Sequence, residues 1–187
     1  TALTEQVVTD IVDSAFRSAG QRCSALRVVY IQEEVFDKTI SMLSGAMQEL
    51  VVDNPLYLKT DVGPVIDERA KGFLDKHLEY LETVDAKFIF GVTPKSDHGK
   101  GTFFMPRAYE IDSIKLLKEE VFGPILHVIK YKMKDLDNII DDINATNFGL
   151  TFGVHSRIDA KSLYIKNKVN VGNICLLYTS PSPRDPH

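Results

Sequence analysis

The stretch "AGQRCSALRVVYIQ", Ala19 to Gln32, decides the fold. Its first half is small and polar around a glycine. Its second half, Leu26–Gln32, is β-branched and aromatic and predicts a buried strand. Upstream, Val7, Val8, Ile11, Val12, Ala15 and Phe16 recur at i, i+1, i+4, i+5 and i+8, which predicts a helix from Thr4 to Ala19 with one apolar stripe. Gly20 follows as its C-cap. Downstream, Val35, Phe36, Ile40, Leu43, Met47 and Leu50 predict a second helix. The stretch is therefore a helix-to-strand junction, and Cys23 sits in the turn.

The alternation continues along the chain. "VDNPLYLKTDVGPVIDE" carries Pro55, Gly63 and Pro64 and reads as a long loop. Phe73, Leu74, His77, Leu78 and Leu81 predict a third helix, and "AKFIFG" (Ala86–Gly91) a strand followed by the polar loop "TPKSDHGKG". "ILHVIKYK" (Ile125–Lys132) is a strand. Asp135 is placed to cap a helix through Leu136, Ile139, Ile140 and Ile143. "LTFGVHS" is a strand, Ala160–Lys168 a helix and "VNVGNI" (Val169–Ile174) a last strand. Strands alternating with amphipathic helices predict an α/β fold, a mostly parallel sheet covered by helices on both faces.

Composition removes several classes of function. The 187 residues carry a net charge of -4 and no basic run, which argues against contact with nucleic acid or an anionic membrane surface. Apolar runs are far shorter than a bilayer span, and the N-terminus lacks the layout of a signal peptide. Two cysteines, Cys23 and Cys175, make neither a disulfide framework nor a zinc spacing, so no metal is expected and a reducing cytoplasmic setting is. Neither G-x-G-x-x-G nor a Walker A pattern occurs. The chain does not open with Met, which suggests a piece of something larger. The last stretch, "CLLYTSPSPRDPH" (Cys175–His187), abandons the pattern, and its reverse translation resembles a transposase-type sequencing-library adapter. Residues 175–187 are therefore expected to be a non-native tail, with the native sequence ending at about Ile174.

A lone cysteine is more often a small buried hydrophobe than a nucleophile. The junction position and the polar neighbours Gln21 and Arg22 shift the balance, because turns present side chains to ligands. Arg22 would favour the thiolate, while a nearby helix C-terminus would oppose it. Four motifs then follow in order: "FRSAGQRCSALR", with Gly-Gln-x-Cys before a basic residue that opens a strand; "NPLYLKTDVGPVID"; "KEEVFGPILHVIKY"; and "NATNFGLTFGVHSR". Together they resemble the aldehyde dehydrogenase superfamily across most of Thr1–Ile174. The wording "SAGQRCSALR" with "AYEIDSIKLLKEEVFGPILHVIKYK" is most similar to the L-glutamate γ-semialdehyde (1-pyrroline-5-carboxylate) dehydrogenase module of bifunctional proline utilization A proteins.

The resemblance implies a three-layer aldehyde dehydrogenase catalytic-domain fold, truncated, over residues 1–174. It implies that Cys23 is the nucleophile, attacking a small-molecule aldehyde and passing through a thiohemiacetal and a thioester. Ser24 matches a serine that helps to hold the substrate carboxylate. Glu120 matches the glutamate that holds the nicotinamide ribose hydroxyls, and Phe122 lines the pocket beside it. Without the resemblance, Ser24 reads equally as a turn residue and "EEVF" as a solvated Glu pair before a core Phe. The cofactor implied is NAD, with FAD only if the parent carries a proline dehydrogenase domain, and the parent is expected to be a homo-oligomer. The NAD-binding domain, a general-base glutamate and an oxyanion asparagine would lie upstream of Thr1, and a carboxylate-binding loop downstream of Ile174, so the isolated chain is expected to be inactive. Three readings compete: an aldehyde dehydrogenase for another aldehyde, a non-catalytic α/β interaction module, and an unrelated thiol hydrolase, which would need a His partner for Cys23 that no motif supplies. His77 falls on a helix stripe and His127 inside a strand, so both read as core positions. Asp135, Asp137, Asp141 and Asp142 read as a solvated helix face.

Overall fold

The computed structural model describes residues 2–94 and 101–177. Helix α1 (Thr4–Phe16) leads through a 3-10 turn (Arg17–Gly20) to strand β1 (Val28–Gln32) and helix α2 (Glu33–Glu49). Helix α3 (Glu68–Thr83) follows the long loop, then strands β2 (Lys87–Gly91), β3 (Arg107–Glu110) and β4 (Ile125–Tyr131). Helix α4 (Leu136–Ala145), strand β5 (Thr151–His155), helix α5 (Asp159–Lys168) and strand β6 (Asn173–Leu177) complete the order. No helix among the described residues is long and apolar enough to cross a membrane.

The main sheet runs β1-β4-β3-β2. β4 is parallel to both β1 and β3, and only the β2/β3 pairing is antiparallel. A second, two-stranded sheet pairs β5 and β6 in parallel. The α/β architecture with a mostly parallel sheet is thus as the alternation predicted. β4 is buried at every residue from Ile125 to Ile129, the signature of a central strand covered on both faces. Its His127 meets α3, while strand alternation turns Leu126 and Val128 to the other side. Phe16 of α1, Leu43 and Met47 of α2 and Leu74 and Leu81 of α3 are among the fully buried side chains of the core.

Several boundaries differ from the sequence reading. α1 ends at Phe16, and Arg17 stands at its C-cap. Ser18, Ala19 and Gly20 then take left-handed backbone in succession (φ 56, 51 and 63°), so Gly20 is not the cap of α1 and its freedom serves a different contact. β3 was not anticipated: its sequence, Arg-Ala-Tyr-Glu, is short and charged at both ends, and only Ala108 and Tyr109 are buried. Asp135 precedes α4 but makes no side-chain cap. Its backbone (φ -94°, ψ 5°) closes a 3-10 turn, Met133–Asp135, instead of taking the extended form from which a carboxylate reaches back. The last strand begins at Asn173 and not at Val169, which ends α5. Cys175, Leu176 and Leu177 pair with Gly153, Val154 and His155 as the end of β6. The rest of the expected tail, 178–187, and most of the polar loop, 95–100, lie outside the described residues.

Candidate active site

Cys23 and Ser24 occupy the corner of a tight turn in which the Ala25 N–H donates to the Arg22 carbonyl at 3.1 Å. Ala25 is buried and anchors the turn, whereas Arg22, Cys23 and Ser24 are exposed. The thiol is therefore open to solvent and to reagents, which a structural cysteine need not be. Arg22 does not direct its guanidinium at the thiol. It donates to the Asp13 and Ser14 carbonyls (3.2 and 3.3 Å), carbonyls that the end of α1 leaves open. Arg22 thus caps the preceding helix.

Two glycines let a distant segment reach this turn. A Cβ on Gly20 would lie 2.2 Å from the carbonyl oxygen of Gly123, so backbone meets backbone with no room for a side chain. A Cβ on Gly123 would in turn lie 2.4 Å from a methyl of Leu74 on α3. The "GQRC" and "EEVFGP" motifs, about a hundred residues apart in sequence, are therefore in contact. The loop motif joins them, since the Gln21 side-chain carbonyl accepts from the Ile66 N–H at 3.0 Å.

Arg27, at the entrance to β1, fastens the two halves together. Its guanidinium donates to the Gly20 carbonyl at 2.5 Å and to the Arg22 carbonyl at 2.9 Å, one on each side of the approach to Cys23. The same group lies 4.6 Å from the centre of the Phe122 ring, a cation–π contact, and its Nε is 3.9 Å from a carboxylate oxygen of Glu120. The last distance is an ion pair and not a hydrogen bond. Burial lowers the pKa of Arg27, and the Glu120 carboxylate opposes that shift. An arginine remains charged under either influence. Glu120 keeps about a third of its side chain exposed (35%) and Phe122 is 40% exposed, so both offer surface beside the turn.

The four residues singled out in the sequence thus fall in two clusters, Cys23 with Ser24 and Glu120 with Phe122, and Arg27 touches or flanks both. Sequence reasoning assigned Arg27 no task. The available signal was a basic residue opening an otherwise apolar strand. The two hydrogen-bond partners of its guanidinium, however, are backbone carbonyls, which residue identity does not reveal.

The model of the aldehyde dehydrogenase family matches residues 1–182. The chain is 48% identical over 177 residues to the bifunctional protein PutA of Klebsiella aerogenes, covering 92% of this chain and 14% of that protein. It is 33% identical over 172 residues to a 1-pyrroline-5-carboxylate dehydrogenase of Geobacillus kaustophilus, covering 91% of this chain and 32% of that one. A solved structure of Bradyrhizobium japonicum proline utilization A superposes with a TM-score of 0.89 at 46% identity, over 94% of this chain and 18% of the other. The chain therefore spans a small part of the length of these relatives. The motif order, the α/β fold and the family match agree: the chain belongs to the aldehyde dehydrogenase family.

Proposed function

We propose that the chain is the cysteine-bearing part of an NAD-dependent dehydrogenase that oxidises L-glutamate γ-semialdehyde to L-glutamate in proline catabolism, with Cys23 as its nucleophile. The observation that carries this reading is an exposed thiol on a turn held by Arg27 next to Glu120 and Phe122. The likeness to PutA and to 1-pyrroline-5-carboxylate dehydrogenase supports the choice of substrate.

The Cys23 sulfur attacks the aldehyde carbon. A C–S bond forms, and the carbonyl electron pair moves onto oxygen. The oxyanion so formed needs donors fixed in advance, and the backbone N–H of Cys23 is one in this reading. Glu120 and Phe122 would hold NAD, which would supply the acceptor for a hydride, while the oxyanion electron pair re-forms the carbonyl and leaves a thioester on Cys23. Glu120 suits the diol of the nicotinamide ribose, because a partly exposed carboxylate accepts from two hydroxyls. Phe122 offers an exposed ring surface to the nicotinamide end. Ser24 presents a hydroxyl donor to the carboxylate of the substrate. Water then attacks the thioester carbon, the Cys23 thiolate departs, and the carboxylic acid is released with its proton lost to solvent.

The test is steady-state oxidation of glutamate semialdehyde by the full-length protein and its Cys23→Ser variant. The variant should lose about a thousandfold or more in kcat, the scale seen when a covalent nucleophile is removed. Undiminished turnover would end the reading. Strong preference for an uncharged aldehyde would keep the role of Cys23 and remove the substrate.

A further inference from the structure

Two buried histidines play no part in this chemistry, yet they connect to it. His127 on β4 is fully buried, and His77 on α3 is 9% exposed. Their Nε2 atoms are 2.9 Å apart. The Nδ1 of His127 is 3.0 Å from the carbonyl oxygen of Arg27. That oxygen can only accept, so His127 carries its proton on Nδ1. Its Nε2 is then the acceptor, and His77 must donate from Nε2. The direction of the whole relay, His77 to His127 to the Arg27 carbonyl, follows from that one carbonyl. The Arg27 oxygen also accepts from the His127 backbone N–H at 2.9 Å, so a single side chain and its own backbone fill both lone pairs.

This carbonyl belongs to the residue that grips the Cys23 turn and stacks on Phe122. One turn earlier on α3, Leu74 is the side chain against which Gly123 packs. Leu74 and His77 lie on the same buried face of α3. The helix thus touches both halves of the site, one through Gly123 and the other through Arg27.

We propose that the His77–His127 pair is a positioning device for the site, holding Arg27 and with it the Cys23 turn, and that it does so only as a neutral pair. The proposal rests on the reading of Cys23 as the nucleophile, but its test is read without turnover. The geometry admits one proton between the two Nε2 atoms, so a second proton would set two N–H groups against each other. Arg27 just before β1, Tyr80 from α3 and Tyr109, the register partner of His127 on β3, are the other titratable groups around the pair. Burial lowers the pKa of both histidines, and the Arg27 cation adds to the effect at His127, which keeps the pair neutral near pH 7.

The probe is iodoacetamide, and the reading is the alkylation rate of Cys23 at pH 7.5 in the purified chain with Cys175→Ser, so that a single thiol reports. Arg27 holds the Gly20 and Arg22 carbonyls on either side of Cys23, so loosening Arg27 frees the turn that presents the thiol to the reagent. His77→Leu should change the alkylation rate about threefold or more. His77→Gln, whose amide keeps a donor at the same reach, should restore the rate. Nitrogen NMR of the imidazoles in the unsubstituted chain should show His127 protonated on Nδ1 and His77 on Nε2. If His77→Leu does not fold, the glutamine variant and the tautomers decide the matter between them. A rate in the leucine variant equal to that of the unsubstituted thiol would overturn the proposal. So would failure of the glutamine variant to rescue, or a His127 protonated on Nε2. None of these outcomes depends on which aldehyde the enzyme takes.

Discussion

The site turns on residues that do no chemistry. Gly20 carries a positive φ and has the Gly123 oxygen where a Cβ would stand. Gly20→Ala therefore meets both left-handed strain and a backbone clash that no rotamer relieves. It should cost about 2–3 kcal/mol of unfolding free energy, measured by urea titration, since strain and overpacking each contribute on the order of 1 kcal/mol or more. Arg27→Lys keeps the charge and loses the fork. A lysine is a point donor that neither bridges two carbonyls in a plane nor stacks as a guanidinium does. In the full-length enzyme this variant should raise the KM for NAD about tenfold, the equivalent of roughly 1.4 kcal/mol, with a smaller change in kcat. An unchanged KM would mean that Arg27 supports the turn but not the Glu120–Phe122 segment.

At the scale of elements, the contact between α3 and β4 carries a pH dependence. Burial holds the His127 pKa down at about 4, against an ordinary value of 6.5. The unfolded chain therefore binds a proton that the folded chain refuses between these values, and stability falls as the pH falls through that window. Between pH 7 and pH 5 the loss should be about 2 kcal/mol, seen in urea titrations at the two pH values. His127→Leu should remove most of this slope. The helices themselves were legible: the stripes of α1, α2 and α3 show in the spacing of their apolar residues. β3 was not, because Arg107 and Glu110 break any apolar run and the strand forms by pairing on both sides. The Cys23 turn was legible as a junction, and Glu120 and Phe122 only through a motif. Gly20 looked like the end of a helix, since its true partner, Gly123, lies far away in sequence and marks itself by nothing but the lack of a side chain.

At the scale of the molecule, the chain covers 14% of the PutA protein with which it shares 48% identity. Position and cofactor binding supply much of the rate of such a reaction. The purified chain of 187 residues should accordingly form no NADH from glutamate semialdehyde, followed at 340 nm, although Cys23 should still react with iodoacetamide. The contact between Gly20 and Gly123 also has a consequence for synthesis. Nothing near Cys23 in sequence can complete its surroundings, because the segment that packs there is translated about a hundred residues later. At roughly 5–20 residues per second, the Cys23 turn leaves the ribosome some 5–20 s before the backbone that packs against its Gly20 end. Closing so long a loop is slow by nature. For that interval the left-handed run from Ser18 to Gly20 has no Gly123 backbone to rest on, so the turn that carries Cys23 takes its final shape only after the second motif has been made.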